Sequence, residues 1–254
     1  MPDIVARVRH VCSALLFLAA LLGGGSAFAE DSYLLALSWQ PAFCASGNHA
    51  SLPECKLAAT AAPRLVLHGL WPDWDVNADG ARNAADDFCL AGANNRNAML
   101  TLDRQGNWLK LPAVKLSPAT NGDLEAAMPG TVAGLERHEW WKHGTCSGLG
   151  ADDYFAIAIA LMRETERGAL AQLIVARAGS TVQRKELLAA FEQDFGAKTA
   201  RALGLDCDRS GAALNEIRIR LKRATIAQGL TAATLAIPSK APRSDCAAEI
   251  QIPN

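Results

Sequence analysis

The segment LNEIRIRLK, residues 214–222, decides the fold class of this chain. Apolar residues at Ile217, Ile219 and Leu221 alternate with charged residues between and around them. Strict alternation is typical of a half-buried β-strand, because successive side chains of a strand point to opposite faces of the sheet. The segment therefore predicts a strand with one apolar face and one charged face.

The chain that precedes this strand follows a helical pattern instead. Apolar residues recur at helical spacing between 155 and 162, which predicts a helix capped by Asp152 and stopped at Gly168. A second helix is predicted over residues 187–195, with Gly196 as its end.

The N-terminal half predicts further strands. The apolar run Tyr33–Trp39, ended by Pro41, and the run from 64 to 67 are interpreted as buried strands. Residues from about 77 to 120 are rich in Asn, Asp, Gly and Ala, and predict a long loop region with little regular structure. Because strands and helices are mixed without regular alternation, the predicted class is α+β rather than doubly wound α/β.

The first 29 residues have the features of a secretory signal peptide. Arg7 and Arg9 precede an apolar run over 11–22, and an Ala-Phe-Ala exit over 27–29 follows. The apolar run is too short to span a bilayer, so a retained anchor helix is the weaker alternative. We therefore expect a signal peptide at 1–29 and a single domain at 30–254, exported to the periplasm or the cell exterior.

Cysteine count and net charge fit an exported enzyme. Loss of Cys12 with the signal peptide leaves an even set, which predicts three disulfides without fixing their pairing. The set is Cys44, Cys55, Cys89, Cys146, Cys207 and Cys246. The full chain has a formal net charge of −1, so any nucleic acid would be bound at a local site rather than by a broad basic surface.

Two short segments carry the ionisable residues suited to catalysis. One is HGLWP, residues 68–72, and the other is HEWWKHGTC, residues 138–146. On a helix at 100° per residue, four ionisable groups of the second segment share one face and both tryptophans point elsewhere. The four groups are His138, Glu139, Lys142 and His143. Such a cluster is suited to binding and rearranging a phosphate.

Two alternatives compete with this interpretation. A zinc hydrolase would use two histidines four residues apart, but Lys142 stands four residues after His138 and would repel a metal. On the same helix, His143 falls about 140° around from His138, which also argues against zinc. The other alternative is that the histidines have no joint role.

The two segments resemble the signature segments of the ribonuclease T2 family. The layout after Cys146, two helices followed by the strand 214–222, resembles the bacterial periplasmic branch of that family, ribonuclease I. The resemblance implies an α+β domain with a mainly antiparallel central sheet flanked by helices and stapled by disulfides. It implies a cofactor-free, metal-independent endoribonuclease that forms a 2′,3′-cyclic phosphate and then hydrolyses it to a 3′-phosphate. RNA supplies its own 2′-OH nucleophile, so no catalytic serine or cysteine is needed.

The resemblance also implies roles for single residues. His143 is expected to act as the base and His68 as the acid. Lys142 would stabilise charge on the phosphoryl oxygens and His138 would bind phosphate. Glu139 would orient or tune His143, or share a proton with a phosphoryl oxygen.

The resemblance also implies residues for base recognition. Trp71 and Asp73 are expected beside the base 5′ of the cut, although Trp71 could equally be a core residue. Leu135 stands where many relatives carry an aromatic residue, which favours broad cutting of single-stranded RNA.

Further expectations concern disulfides, partners and rival functions. The implied pairs are Cys44–Cys55, Cys89–Cys146 and Cys207–Cys246, and His49 in the first loop is expected to be a bystander. RNA is the expected partner of a monomer that is not attached to a membrane. A catalytically silent RNA-binding or toxin-like module on the same scaffold is the remaining alternative.

Overall fold

The computed structural model describes residues 32–58, 62–73, 88–90, 92–238 and 244–254. The expected signal peptide at 1–29 lies outside the described residues. A four-stranded antiparallel sheet in the order β2-β1-β5-β4 forms the centre, and β3 pairs with β6 in a small second sheet. The strands are β1 Ser32–Trp39, β2 Leu65–Asp73, β3 Thr181–Gln183, β4 Leu203–Cys207, β5 Leu214–Lys222 and β6 Glu249–Gln251.

The strand predicted from alternation is confirmed as β5, and the apolar run at 33–39 is confirmed within β1. Ile217 and Ile219 are fully buried while Arg218 is half-buried, as the alternation requires. The second predicted strand is longer than expected, because β2 continues through the whole HGLWP segment to Asp73.

A β-bulge interrupts β2 at His68. Ala36 of β1 pairs with Gly69 and the next residue, Leu37, pairs with Leu67, so His68 is the extra residue between two registers. Bulges redirect side chains and are common beside active sites. His68 therefore occupies an irregular position within a paired strand.

Eight α-helices surround the sheets in the described part of the chain. They are α1 Gln40–Ala45, α2 Pro53–Ala58, α3 Gly92–Arg104, α4 Pro118–Ala127, α5 Leu135–His138, α6 Ala151–Glu166, α7 Ala169–Ala176 and α8 Arg184–Phe195. None of these helices combines the length and the apolar character that crossing a membrane would require.

Both helices predicted from apolar spacing are present, as α6 and α8. Helix α8 ends at Gly196, as predicted. The predicted cap of α6 is wrong: Gly150 is the N-cap, and the Asp152 carboxylate accepts a hydrogen bond from the Ser117 backbone N–H at 2.7 Å. The acidic group serves a long-range contact instead, which the local pattern could not reveal.

The prediction of a loop over residues 77–120 is wrong for its C-terminal part. Helix α3 covers Gly92–Arg104, and α4 begins at Pro118. The first helix was missed because its sequence is mostly polar and shows little apolar periodicity. The second has a clear start signal, since Ser117 Oγ accepts from the Thr120 backbone N–H at 3.2 Å and Pro118 stands in the first turn. The described residues exclude 74–87 and 91.

One hydrophobic core lies between the apolar face of the central sheet and the surrounding helices. Leu35 and Leu37 of β1 and Ile217 and Ile219 of β5 are fully buried there, together with Phe155 of α6. The α+β class with a mainly antiparallel sheet flanked by helices is confirmed. The opposite, polar face of the sheet is thereby left available for a site.

Three disulfides join the cysteines in the pairs that the family resemblance implied. They are Cys44–Cys55, Cys89–Cys146 and Cys207–Cys246. The second ties the segment that contains Cys89 to the end of HEWWKHGTC. There, the Phe88 backbone N–H also donates to the Lys142 carbonyl at 3.1 Å.

Candidate active site

The segment 138–146 is not one regular α-helix. Helix α5 ends at His138, the five residues Glu139–His143 form a π-helical turn, and Gly144–Cys146 form a 3-10 turn. A π-turn is wider than an α-turn, so residues five apart come onto the same side. The ring centres of His138 and His143 are accordingly 5.6 Å apart. The prediction that these rings point 140° apart is therefore wrong, whereas the expectation that the polar groups meet is supported.

Glu139 lies at the centre of the cluster and is completely buried. Its Oε2 accepts a hydrogen bond from Trp71 Nε1 at 2.8 Å. Its Oε1 lies 3.8 Å from His68 Nε2 and 3.6 Å from His138 Nε2. Among the described residues, this oxygen has no hydrogen-bond partner, so it faces the space between two imidazoles.

Gly69 allows this carboxylate to approach β2. A Cβ atom at Gly69 would lie 1.9 Å from Glu139 Oε2 and 2.4 Å from Trp71 Nε1. These distances are far below van der Waals contact, so any larger residue would displace the carboxylate. A glycine is thus needed at this position of HGLWP for steric reasons, which the sequence pattern alone did not show.

His68 is held from behind by Glu216 of β5. His68 Nδ1 lies 2.5 Å from Glu216 Oε2. An ionised carboxylate only accepts, so Nδ1 donates and carries a proton. The other ring nitrogen, Nε2, therefore faces Glu139 and the centre of the cluster.

His138 and Lys142 share a second carboxylate, Asp103 of α3. His138 Nδ1 makes a short contact with Asp103 Oδ1, and Lys142 Nζ lies 3.6 Å from Asp103 Oδ2. Trp108 packs against the His138 ring with a centroid distance of 4.7 Å. The helix missed in the sequence therefore supplies an acidic partner for two site residues.

Burial and charge act differently on the site's ionisable groups. Burial strongly disfavours the Glu139 carboxylate and raises its pKa, although His138, His68 and Lys142 oppose the shift. For His68, burial alone would lower the pKa, but the hydrogen bond and charge of Glu216, with the charge of Glu139, outweigh it and raise the pKa. The pKa values of Glu139 and His68 are thus both raised.

Trp71 lies between His68 and His143, which we call the outer histidines. Its ring centre is 5.1 Å from that of His68 and 5.6 Å from that of His143, and Arg218 stacks over it at 5.6 Å. Trp71 is half-buried and lines the site, outside the hydrophobic core. Asp73 is nearly buried and makes a short ion pair with Arg220 of β5.

The remaining predicted residues lie as follows. Leu135 is partly buried and packs against the core, within reach of Gly130. His49 lies in a 3-10 turn near α1, where its Nδ1 is 2.9 Å from the Phe43 carbonyl oxygen, outside the cluster.

Sequence reasoning missed Asp103, Glu216 and Arg218. Glu216 and Arg218 stand on the charged face of the alternating strand, and Glu216 is the lone acid among basic residues there. That contrast could have drawn attention to it. Asp103 belongs to a segment interpreted as loop and gave no such signal.

The geometry also brings together a set that a metal ion could use. One ligand atom each of His138, Glu139 and His143 lies within 4.8 Å of the others. The sequence argument that His143 points away from a shared metal is therefore wrong, because the π-turn brings it back. Lys142 lies next to the set and pairs with Asp103.

Comparison with known proteins gives one consistent result. The model of the Ribonuclease T2 family matches residues 30–229. Ribonuclease I of Escherichia coli strain K12 is 32% identical over 213 residues, covering 80% of this chain and 79% of that protein. A ribonuclease of Aeromonas hydrophila is 29% identical over 150 residues, covering 59% of this chain and 53% of that protein.

A solved structure agrees with the fold. The self-incompatibility associated SF11-RNase of Nicotiana alata superposes with a TM-score of 0.57 at 18% identity, covering 88% of this chain and 99% of that one. The family match over most of the chain, with ribonucleases among its relatives, shows that this protein belongs to the Ribonuclease T2 family and is a T2-type endoribonuclease.

Proposed function

We propose that this enzyme cleaves single-stranded RNA without a metal, with low base specificity. The ribose 2′-OH attacks the adjacent phosphorus, giving a 2′,3′-cyclic phosphate that is then hydrolysed to a 3′-phosphate. The observation that carries the proposal is the convergence of His68, His138 and His143 on the buried carboxylate of Glu139.

The outer histidines exchange protons with the substrate. His143 removes the proton of the 2′-OH as the new P–O bond forms, and His68 delivers the proton on Nε2 to the 5′-oxygen as the old P–O bond breaks. In the hydrolysis step the roles reverse, since His68 takes a proton from water and His143 returns one to the 2′-oxygen. The Nε2 atom of His68 faces the cluster, as this role requires.

The inner residues bind the phosphoryl group. Lys142 and His138 supply positive charge and hydrogen-bond donors where oxygen charge develops. Asp103 holds both groups in place. The pKa of Glu139 is raised by burial, which suits a group that shares a proton with a phosphoryl oxygen and orients the neighbouring histidines.

Trp71 and Asp73 form the proposed position for the base 5′ of the cut. Trp71 offers one ring face near His68 and His143, and stacking tolerates any base because every base has a π-face. Leu135 offers no aromatic ring for the base on the other side, which supports low selectivity.

We also propose that the signal peptide at 1–29 directs this single catalytic domain, residues 30–254, to the periplasm or the cell exterior. There it acts as a monomer without a cofactor. Six cysteines paired in three disulfides support an oxidising compartment.

The decisive experiment incubates the purified protein with RNA in excess EDTA and analyses the ends formed. We expect 2′,3′-cyclic phosphate ends first, 3′-phosphates later, and no cleavage of a 2′-deoxy substrate. His68→Ala and His143→Ala should each lose about 10²–10⁴-fold in rate, whereas the control His49→Ala should not. Normal rates in both site variants would refute the proposed roles.

Two rival functions give other outcomes of the same experiment. Loss of activity in EDTA with recovery on adding zinc would identify a metal hydrolase that uses His138, Glu139 and His143. RNA binding without any cyclic-phosphate product would identify a silent binding module.

A further inference from the structure

Glu216 is a buried carboxylate that the proposed mechanism does not otherwise use. It stands on the polar side of β5 and is only 5% exposed. Its Oε2 accepts from His68 Nδ1 at 2.5 Å and from Ser38 Oγ at 3.2 Å, and its Oε1 accepts from Arg218 Nε at 2.6 Å. Each oxygen thus has at least one hydrogen-bond partner, and a buried charge is tolerated only with such partners.

The sheet register explains how this contact arises. Ser38 of β1 pairs directly with Glu216 of β5, and the β-bulge at His68 lies in the neighbouring strand β2. The imidazole therefore reaches across β1 to the carboxylate. Three adjacent strands of a rigid sheet hold the pair, which restricts the ring far more than a loop could.

We propose that Glu216 is a positioning residue that fixes the ring orientation and tautomer of His68, so that Nε2 is always the nitrogen that exchanges a proton with the substrate. The inference rests on the proposed acid role of His68 and extends it to a residue outside the two signature segments.

The chemistry follows from the acceptor character of a carboxylate. When His68 is protonated, Nδ1–H donates to Glu216 and Nε2–H faces the leaving oxygen. After Nε2 transfers its proton to the 5′-oxygen, the neutral ring keeps its Nδ1 proton on Glu216 and leaves an Nε2 lone pair for the water of the second step. Without Glu216, the neutral ring could carry its proton on either nitrogen and rotate.

Charged groups on each neighbouring element set the balance around His68. Glu216 on β5 and Glu139 on the π-turn favour its cationic form, and Arg218 on β5 opposes it. Asp206 on β4 lies 3.6 Å from Arg218 and partly neutralises that opposition. The combined effect raises the pKa of His68 despite burial, so His68 keeps its proton to higher pH.

The test compares two substrates that differ in their need for an acid. A dinucleotide has a poor alkoxide leaving group, whereas a nucleoside 3′-(4-nitrophenyl phosphate) has a leaving group that departs without protonation. We measure kcat/KM against pH for Glu216→Gln, Glu216→Ala, His68→Ala and the exposed control Glu125→Gln.

We expect the Glu216 variants to lose about 10- to 100-fold on the dinucleotide, as when a group that orients a histidine is removed. The loss should shrink to less than about threefold on the activated ester, and His68→Ala should show the same pattern more strongly. In Glu216→Gln the alkaline limb of the profile should move to lower pH. If Glu216→Ala fails to fold, Glu216→Gln, which keeps the shape of the side chain, carries the test.

Two failures are distinguishable. The first is a loss of kcat/KM in Glu216→Gln that is equal on both substrates, with an unmoved alkaline limb, while the loss in His68→Ala shrinks on the activated ester. That outcome would overturn the positioning role alone. The second is a loss of kcat/KM in His68→Ala that is equal on both substrates. That outcome would overturn the acid role of His68, and the positioning role with it. The control should match the unmodified enzyme throughout.

Discussion

Gly69→Ala changes the site by one methyl group and leaves every ionisable residue in place. The added Cβ would lie 1.9 Å from Glu139 Oε2 and 2.6 Å from Glu139 Cδ. Carbon contacts have their optimum near 3.5 Å, so the carboxylate must retreat by about 1.5 Å. The φ of Gly69 is not in the left-handed region, so backbone strain does not confuse the result.

The displacement predicts separate losses of activity and stability. A misplacement of about 1 Å at a catalytic group costs on the order of 10²-fold in rate, so kcat/KM on RNA should fall at least that much. The hydrogen bond from Trp71 Nε1 to Glu139 would break, and such bonds to charged groups contribute about 1.5–3 kcal/mol. With about 1–3 kcal/mol for overpacking, the free energy of unfolding should fall by about 2.5–6 kcal/mol.

Gly122→Ala is the matched control for this experiment. Gly122 lies in α4 with nothing within 4 Å of an added Cβ, so alanine there should be neutral or stabilise by up to about 1 kcal/mol. Urea unfolding and steady-state cleavage of RNA measure both variants.

A double-mutant cycle with Glu139→Ala locates the cause. Removing the carboxylate removes its clash with the new methyl group, so the cost of Gly69→Ala should be smaller in that background by about 0.5–3 kcal/mol. Full activity of Gly69→Ala, or costs that simply add, would refute the steric reasoning.

Three further changes have predictable effects on stability. Burial alone would raise the pKa of Asp103, but the imidazole and ammonium groups bound to it lower the pKa, so its contribution to stability is present above about pH 4 and is lost as pH falls through the lowered value. Asp103→Asn should therefore lower the free energy of unfolding at pH 7, and this loss should shrink as pH falls below about 4. A loss that does not change with pH would contradict this. Replacing both Cys89 and Cys146 by alanine should lower stability by about 2–5 kcal/mol in urea, since the bridge spans 57 residues; unchanged unfolding would show that the bridge does not stabilise the fold. Tyr154→Phe should cost about 1–3 kcal/mol, because the hydroxyl donates to the buried Leu70 carbonyl at 2.7 Å, and a thermal melt identical to that of the unmodified protein would contradict the contact.

The sequence pattern made three strands of the central sheet, β1, β2 and β5, and the two helices α6 and α8 predictable. Strand β5 alternates from Glu216 to Lys222, and α8 has a clear apolar stripe that ends at Gly196, so both were found with bounds close to those observed. Helix α3 was not found, because its polar composition resembles that of a loop and its position depends on contacts with distant residues.

The sequence indicated the site residues of the segments 68–72 and 138–146, but it indicated neither their geometry nor the supporting residues Asp103, Glu216 and Arg218. A wheel at 100° per residue grouped the polar residues of 138–143 correctly, yet it placed His143 away from His138. The π-turn adds a residue to the turn without any composition that marks it. Glu216 could not be assigned to His68, because that contact depends on the strand order β2-β1-β5, which no local pattern contains.

The bulge at His68 divides β2 into two segments with different burial patterns. Before it, the buried positions of β2 are odd-numbered, at Leu65 and Leu67, and after it they include the even-numbered Leu70 and Pro72. The register of β2 against β1 therefore shifts at the residue that leaves the regular pairing. Because a bulge re-aims the side chain that it displaces, His68 reaches Glu216 across β1 while Leu67 and Leu70 keep their places in the core.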